Sequence, residues 1–220
     1  MPKLPFDLDR DLLPISQYFL TSNILAVTLS LPVKSVPELI DYARKNAGKL
    51  LFASSGNGTS MHLSAELFKH LTGTQMTHGP YKAAQQGVAD LIGGQVQLMF
   101  DSTSSIGAQV KAGRVRGLAV TGAKRSPTYP ELPTIAESGV PNFEMTAWGG
   151  FAAPSGVSKS IVNRLSVEIN KALATAAVKE KFAANGSVPT GNTPDEFTAL
   201  IKRELTKWVE VVRSAHIKVD

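Results

Sequence analysis

Short apolar runs alternate along this chain with longer stretches of helical period, and Gly, Pro and Ser separate them. Such alternation predicts βαβ units around a mostly parallel sheet. Ile24-Leu25-Ala26-Val27 reads as the first strand. A helix opens at Ser35-Val36-Pro37-Glu38, with Ser35 as its cap, Pro37 in its first turn and Glu38 completing a capping box. Leu39, Ile40 and Ala43 give that helix an apolar face, and Gly48 stops it. Leu50-Leu51-Phe52-Ala53 is a compact buried strand, followed by a Gly/Ser loop and a helix over 60–71. Further strands are expected at 77–81, 95–100 and 115–120, and further helices at 83–92 and 104–112. Over 95–100 the pattern alternates, which puts Val96, Leu98 and Phe100 on one face.

The proline-rich stretch 127–141 reads as a hinge-side connection. A strand over 145–152 and two long helices complete the chain. The first helix starts near Ser158, and Thr193-Pro194-Asp195-Glu196 opens the second with another capping box. Leu200, Leu205, Trp208, Val209 and Val212 form its expected buried side, and Trp148 is expected in the core. There is no internal repeat and no low-complexity segment.

With 220 residues, 43% of them hydrophobic, the chain has enough apolar material for one substantial domain or two small α/β lobes. The net charge of +5 is spread: residues 1–156 carry 13 basic and 11 acidic side chains, and residues 157–220 carry 10 and 7. A nucleic-acid binder would concentrate its charge on one element. A diffuse positive field suits a small anion. No cysteine is present, which excludes disulfides, thiol nucleophiles and thiolate metal sites. No run approaches 18 apolar residues, so no membrane insertion is expected. The first residues, Met1 to Asp7, have no apolar stretch of the kind a signal peptide needs, and on that ground the chain as given is expected in the cytoplasm.

The candidate chemistry lies in the loop Ser54-Ser55-Gly56-Asn57-Gly58-Thr59-Ser60-Met61-His62, between a strand and a helix. Gly56 and Gly58 permit a tight turn, and Thr59 or Ser60 caps the helix. Free amides and the positive end of the helix dipole would attract a carboxylate there without a lysine or arginine. Tyr81 and Asp101 stand at the ends of two other expected strands, where open α/β sheets hold their ligands. Asp101 would repel a carboxylate and would act on a hydroxyl, an amine or a bridging water. Of the four histidines, His62, His70, His78 and His216, only His62 lies in the first turn of the loop's helix. None has metal-ligand spacing, and no cofactor motif or catalytic elbow is present. Lys111, Arg114, Arg116, Lys124 and Arg125 read as a solvated basic face or a partner-docking surface.

Several ordered segments carry a family resemblance: Leu31-Pro32-Val33-Lys34-Ser35-Val36-Pro37-Glu38-Leu39, Ala53-Ser54-Ser55-Gly56-Asn57-Gly58-Thr59, Pro80-Tyr81-Lys82, Asp90-Leu91-Ile92-Gly93-Gly94-Gln95-Val96, Met99-Phe100-Asp101 and Leu132-Pro133-Thr134-Ile135. The chain resembles the Bug or TctC substrate-binding proteins of tripartite tricarboxylate transporters over nearly its whole length. The resemblance implies a two-lobed, type II periplasmic-binding-protein-like fold, residues 26–144 forming the second lobe and 1–25 with 145–220 an incomplete first one. It implies a small carboxylate ligand, export to the periplasm, delivery to the permease subunits of a tripartite transporter, and no enzymatic activity. It places the ligand at the 54–59 loop and Tyr81, with Asp101 nearby. Ala83 stands where family members usually have glycine, and roughly the first quarter of a typical member, including its export signal, has no counterpart. Two alternatives remain, a cytoplasmic ligand-sensing module like a LysR effector domain and a truncated receptor without function. A hydrolase using Ser54 or Ser55 with His62 lacks a third partner.

Overall fold

The structure is a computed structural model that describes residues 5–214. The described chain divides into two compact units, one made of residues 5–20 and 147–210, the other of 21–146 and 211–214. A short helix α1 (Leu8–Asp11), capped by the Asp7 side chain, leads into β1 (Leu12–Val27). At 16 residues β1 is far longer than the four-residue run expected. Pro14 and the polar residues 16–17 and 21–23 interrupt its apolar pattern. The pairing shows why: Phe19 and Leu20 pair within the first unit and Asn23 to Val27 within the second, so the strand serves two sheets in turn.

In the second unit, α2 (Val36–Lys45) is capped by Ser35 Oγ, which accepts the Glu38 N–H at 3.3 Å. Glu38 Oε2 accepts the Lys34 N–H, one residue before the expected partner. The next elements are β2 (Leu51–Ser54), α3 (Ser60–Thr72), β3 (Thr77–Pro80), α4 (Ala84–Ile92), β4 (Leu98–Ser102), α5 (Thr103–Lys111) and β5 (Arg116–Val120). Spatial order is β3-β2-β4-β1-β5. Strands β2, β3 and β4 are parallel, as helix crossovers require, but β1 lies between β4 and β5 and is antiparallel to both. The sheet is therefore mixed, because the sequence pattern reports the helix-linked strands and not the insertion of β1 among them.

Leu98, Met99 and Phe100 are all fully buried, so β4 is covered on both faces and its apparent alternation is not a solvent face. Phe68 of α3, Phe100 and Phe143 pack with ring centroids 5.9–6.5 Å apart. A second cluster includes Ile24, Leu91, Met99, Ile106 and Val120. The proline-rich stretch, expected as a hinge-side connection, lies wholly within the second unit. It lies on β5, where Val120 N–H donates to Pro133 O at 2.8 Å and Ile135 N–H to Val120 O at 3.0 Å. Ile135 is fully buried there.

The first unit adds β6 (Thr146–Pro154), α6 (Lys159–Ala174), α7 (Ala176–Ala184), β7 (Val188–Pro189) and α8 (Pro194–Ser214). Three helices stand where two were expected, because Thr175 turns extended and its hydroxyl binds Ala172 O. The second capping box forms as read: Glu196 Oε2 accepts the Thr193 N–H at 2.8 Å and Thr193 Oγ1 accepts the Glu196 N–H at 3.3 Å. The core here is small, built on Ile15, Ala153 and Val162. On α8, Leu205 and Val209 are 43% and 54% exposed, contrary to the expected buried side. Nine of the twelve large hydrophobics that stand exposed among the described residues belong to this unit, so its apolar faces are incompletely covered. No described helix is long and apolar enough to cross a membrane.

Candidate functional site

Because β2, β3 and β4 are parallel, their carboxyl ends share one edge of the second unit's sheet. That edge brings together the 54–59 loop, Tyr81 and Asp101. The Tyr81 N–H donates to Ser54 O at 2.8 Å and ties the ends of β3 and β2. Within the loop, Gly56 and Gly58 have φ of 117° and 73°, values that a side chain resists. Thr59 closes it: Oγ1 donates to Gly56 O at 2.9 Å and accepts the His62 N–H at 3.4 Å.

The first turn of a helix leaves N–H groups without intrahelical acceptors. In α3 the His62 N–H goes to Thr59 Oγ1 and the Leu63 N–H to Thr59 O. The Ser60 and Met61 N–H groups have no acceptor among the described residues. Loop amides are less open than the glycine pattern suggests. Ser54 Oγ accepts the Gly56 N–H at 3.1 Å, and His62 Nδ1 accepts the Gly58 N–H at 3.1 Å. Ser60 and Met61 thus offer anion-attracting donors at the positive end of a 13-residue helix, and the Ser55 and Thr59 N–H groups of the loop likewise have no acceptor among the described residues.

Side chains behind the loop hold it in shape. Ser54 is fully buried, with Oγ 2.6 Å from His78 Nε2. His62 is 6% exposed and stacks on His78 with ring centroids 4.1 Å apart, and the near-parallel Phe52 ring lies 4.8 Å from His78 and 6.2 Å from His62. Burial, reinforced by His62, lowers the His78 pKa to about 4. His62 Nε2 lies 3.7 Å from Glu66 Oε1, and Lys69 Nζ grips both Glu66 oxygens at 2.7 and 2.9 Å. Burial pushes the Glu66 carboxyl up, but His62 and Lys69 outweigh it and hold the group below its usual range. Ser54 and His62 therefore support the loop from beneath. A buried Ser54 bonded to His78 is no nucleophile paired with His62. His78 went unrecognised as a site residue. Its one sequence signal is parity along β3, which sets it opposite Phe52.

Asp101 is 1% exposed. Oδ1 accepts the Ser102 N–H at 2.7 Å, while Oδ2 has no partner among the described residues. Burial raises its pKa, against hydrogen bonds from Ser105 and Ser102. Tyr81 turns its hydroxyl to Asp90 Oδ2 at 2.7 Å, which raises its pKa to about 12, so that hydroxyl is committed to α4. Ala83 caps α4 without a side-chain bond. In the basic run, Lys111 lies over the Tyr129 ring, Arg116 binds Val33 O and Arg125 pairs with Glu137, so these three brace the fold. His70 is exposed, and His216 lies outside the described residues.

A cleft of about 680 Å³ lies in the first unit, walled by Leu12, Trp148, Phe197, Ile201, Leu205 and Trp208. None of the expected ligand residues touches it. Its apolar lining marks uncovered surface rather than a carboxylate site, and the two tryptophans expected in the core are half-buried in its wall.

The sequence profile of the tripartite tricarboxylate transporter family receptors matches residues 1–217. A curated relative from Pseudomonas sp. (strain P51), the UPF0065 protein in the tcbD-tcbE intergenic region, is 38% identical over 212 residues, covering 96% of this chain and 63% of its own. The chain thus spans less than two thirds of that relative's length. The solved R. palustris Rpa4515 with adipate is similar at 36% identity and a TM-score of 0.85, over 98% of this chain and 72% of that one. MatC from Rhodopseudomonas palustris with bound malate is similar at 26% identity and a TM-score of 0.78, over 96% and 73%. The fold is thus that of the TctC-type solute-binding proteins, and the chain belongs to the tripartite tricarboxylate transporter family of receptors.

Proposed function

We propose that the chain is the receptor part of a solute-binding protein for a small carboxylate, and that the acid group binds at the start of α3. One observation carries the reading: the Ser60 and Met61 N–H groups have no partner among the described residues and stand at the N-terminus of α3, behind a glycine loop shaped for close approach. Backbone donors of this kind select a planar anion and say little about the rest of the molecule. Adipate and malate, held by the two solved relatives, are both dicarboxylates. Asp101, raised in pKa and with Oδ2 unpartnered among the described residues, suits a hydroxyl or a water at the same edge and not a second carboxylate. The family's receptors are periplasmic, and in that compartment the loaded protein would deliver its ligand to the permease subunits of a tripartite transporter.

Calorimetric titration with adipate, malate and their dimethyl esters tests the reading. Saturable heat with the acids and none with the neutral esters is expected. Equal binding of the esters, or binding of none of the four, would remove it.

A further inference from the structure

We propose that His62 is the positioning residue of the carboxylate loop: it holds the 56–58 turn through the Gly58 N–H, and does so only while its Nδ1 is unprotonated. The inference rests on the carboxylate reading above and adds a device to the same site.

Gly58 N–H is a donor only, so His62 Nδ1, 3.1 Å away, must be the bare nitrogen of the ring. A neutral imidazole then carries its proton on Nε2, on the side facing Glu66 Oε1 at 3.7 Å. His78 performs a parallel task one layer over. Its Nε2 lies 2.6 Å from Ser54 Oγ, and the same Oγ accepts the Gly56 N–H at 3.1 Å. Two rings stacked at 4.1 Å, His62 buried and His78 half-buried, therefore hold the two loop glycines, His62 directly and His78 through Ser54.

The two rings respond differently to a second proton. A protonated His78 Nε2 can still donate to Ser54 Oγ, because that hydroxyl can turn its own hydrogen to Gly56 O at 3.2 Å and keep the Gly56 N–H as well. A protonated His62 Nδ1 has no such escape, since two N–H donors would face each other across 3.1 Å. Glu66 on its own helix would attract the cation, with Lys69 on Glu66 opposing. His78 from β3, held neutral down to about pH 4, adds no charge against it until then. A proton on His62 Nδ1 would thus break the Gly58 bond and free the turn that precedes Ser60 and Met61.

NMR of the ¹⁵N-labelled full chain tests this without any ligand. A through-hydrogen-bond coupling between the Gly58 amide nitrogen and His62 Nδ1 is expected at pH 8, together with slow exchange of the Gly58 amide. His62→Asn keeps an acceptor near the Nδ1 position and does not titrate, so Gly58 should stay protected at every pH. His62→Leu should lose that protection throughout. Titrated with malate or adipate at pH 8, His62→Leu should bind about tenfold more weakly, as expected for one lost hydrogen bond to an otherwise buried donor. His62→Asn should stay within about threefold of the native chain. A protonated Nδ1 at pH 8, or unchanged affinity in His62→Leu, overturns the positioning role alone. Failure of the native chain to bind either acid while the coupling is present overturns the carboxylate reading, and the role with it.

Discussion

Lowering the pH from 7 to 5 should weaken the second unit by an amount traceable to His78. Burial and the facing His62 hold this ring near 4, against an ordinary 6.5. The native ring therefore refuses a proton that the unfolded chain accepts, and between those two values the unfolded state binds more protons. Stability is complete above pH 6.5 and is lost as the pH falls towards 4. At pH 5 the full gap corresponds to ~2 kcal/mol, from 1.36 kcal/mol per pKa step. The ring is only half-buried, and screening reduces this to ~1 kcal/mol. Glu66 acts in the same sense, but its depressed pKa releases stability only as the pH falls below its ordinary 4.5, outside the range scanned. Exchange protection of the β2 and β4 amides, corrected for intrinsic rates, reads the unit without interference from Trp148 or Trp208. The comparison is His78→Gln, whose amide still meets the Ser54 hydroxyl and does not titrate. The native chain should lose ~1 kcal/mol more than the variant between pH 7 and 5. Equal losses would show that His78 is not held neutral by its surroundings.

Other perturbations have sharp expectations. Phe68→Ala removes a fully buried ring that meets Phe100 and Phe143, and should cost about 3–5 kcal/mol in urea unfolding of the second unit. Gly56→Ala meets no neighbour within 4 Å, but φ of 117° strains any side chain; a loss of about 1–3 kcal/mol and weaker dicarboxylate binding should follow, with exchange and calorimetry as readouts. Thr193→Ala removes the acceptor of the Glu196 N–H and should cost ~1 kcal/mol, visible as faster exchange at the first turn of α8.

Much of the second unit was legible because its elements are local. Ser35, Thr59 and Thr193 each announce a helix start within four residues, and Gly73 ends α3 with φ of 65°. The loop's position at the end of a parallel strand was equally legible, since β2–α3–β3 is a contiguous crossover. What sequence could not show depends on partners distant along the chain. The antiparallel place of β1 between β4 and β5 has no local signature. Neither does the stacking of His78 on His62, which decides which loop amides are spoken for. Tyr81 looked like a ligand group because it ends a strand, but Asp90, nine residues on, takes its hydroxyl. On α8 the helical period was clear, while the exposure of Leu205 and Val209 reflects how little else of the first unit covers them.

The most direct measurement is an amide chemical-shift titration of the labelled chain with malate at neutral pH. The Ser60 and Met61 N–H resonances should move downfield together, saturably and with one dissociation constant, as an acid group accepts from both. Saturable shifts confined to the apolar cleft around Trp148 and Phe197, with Ser60 and Met61 unmoved, would place the ligand elsewhere and contradict the account.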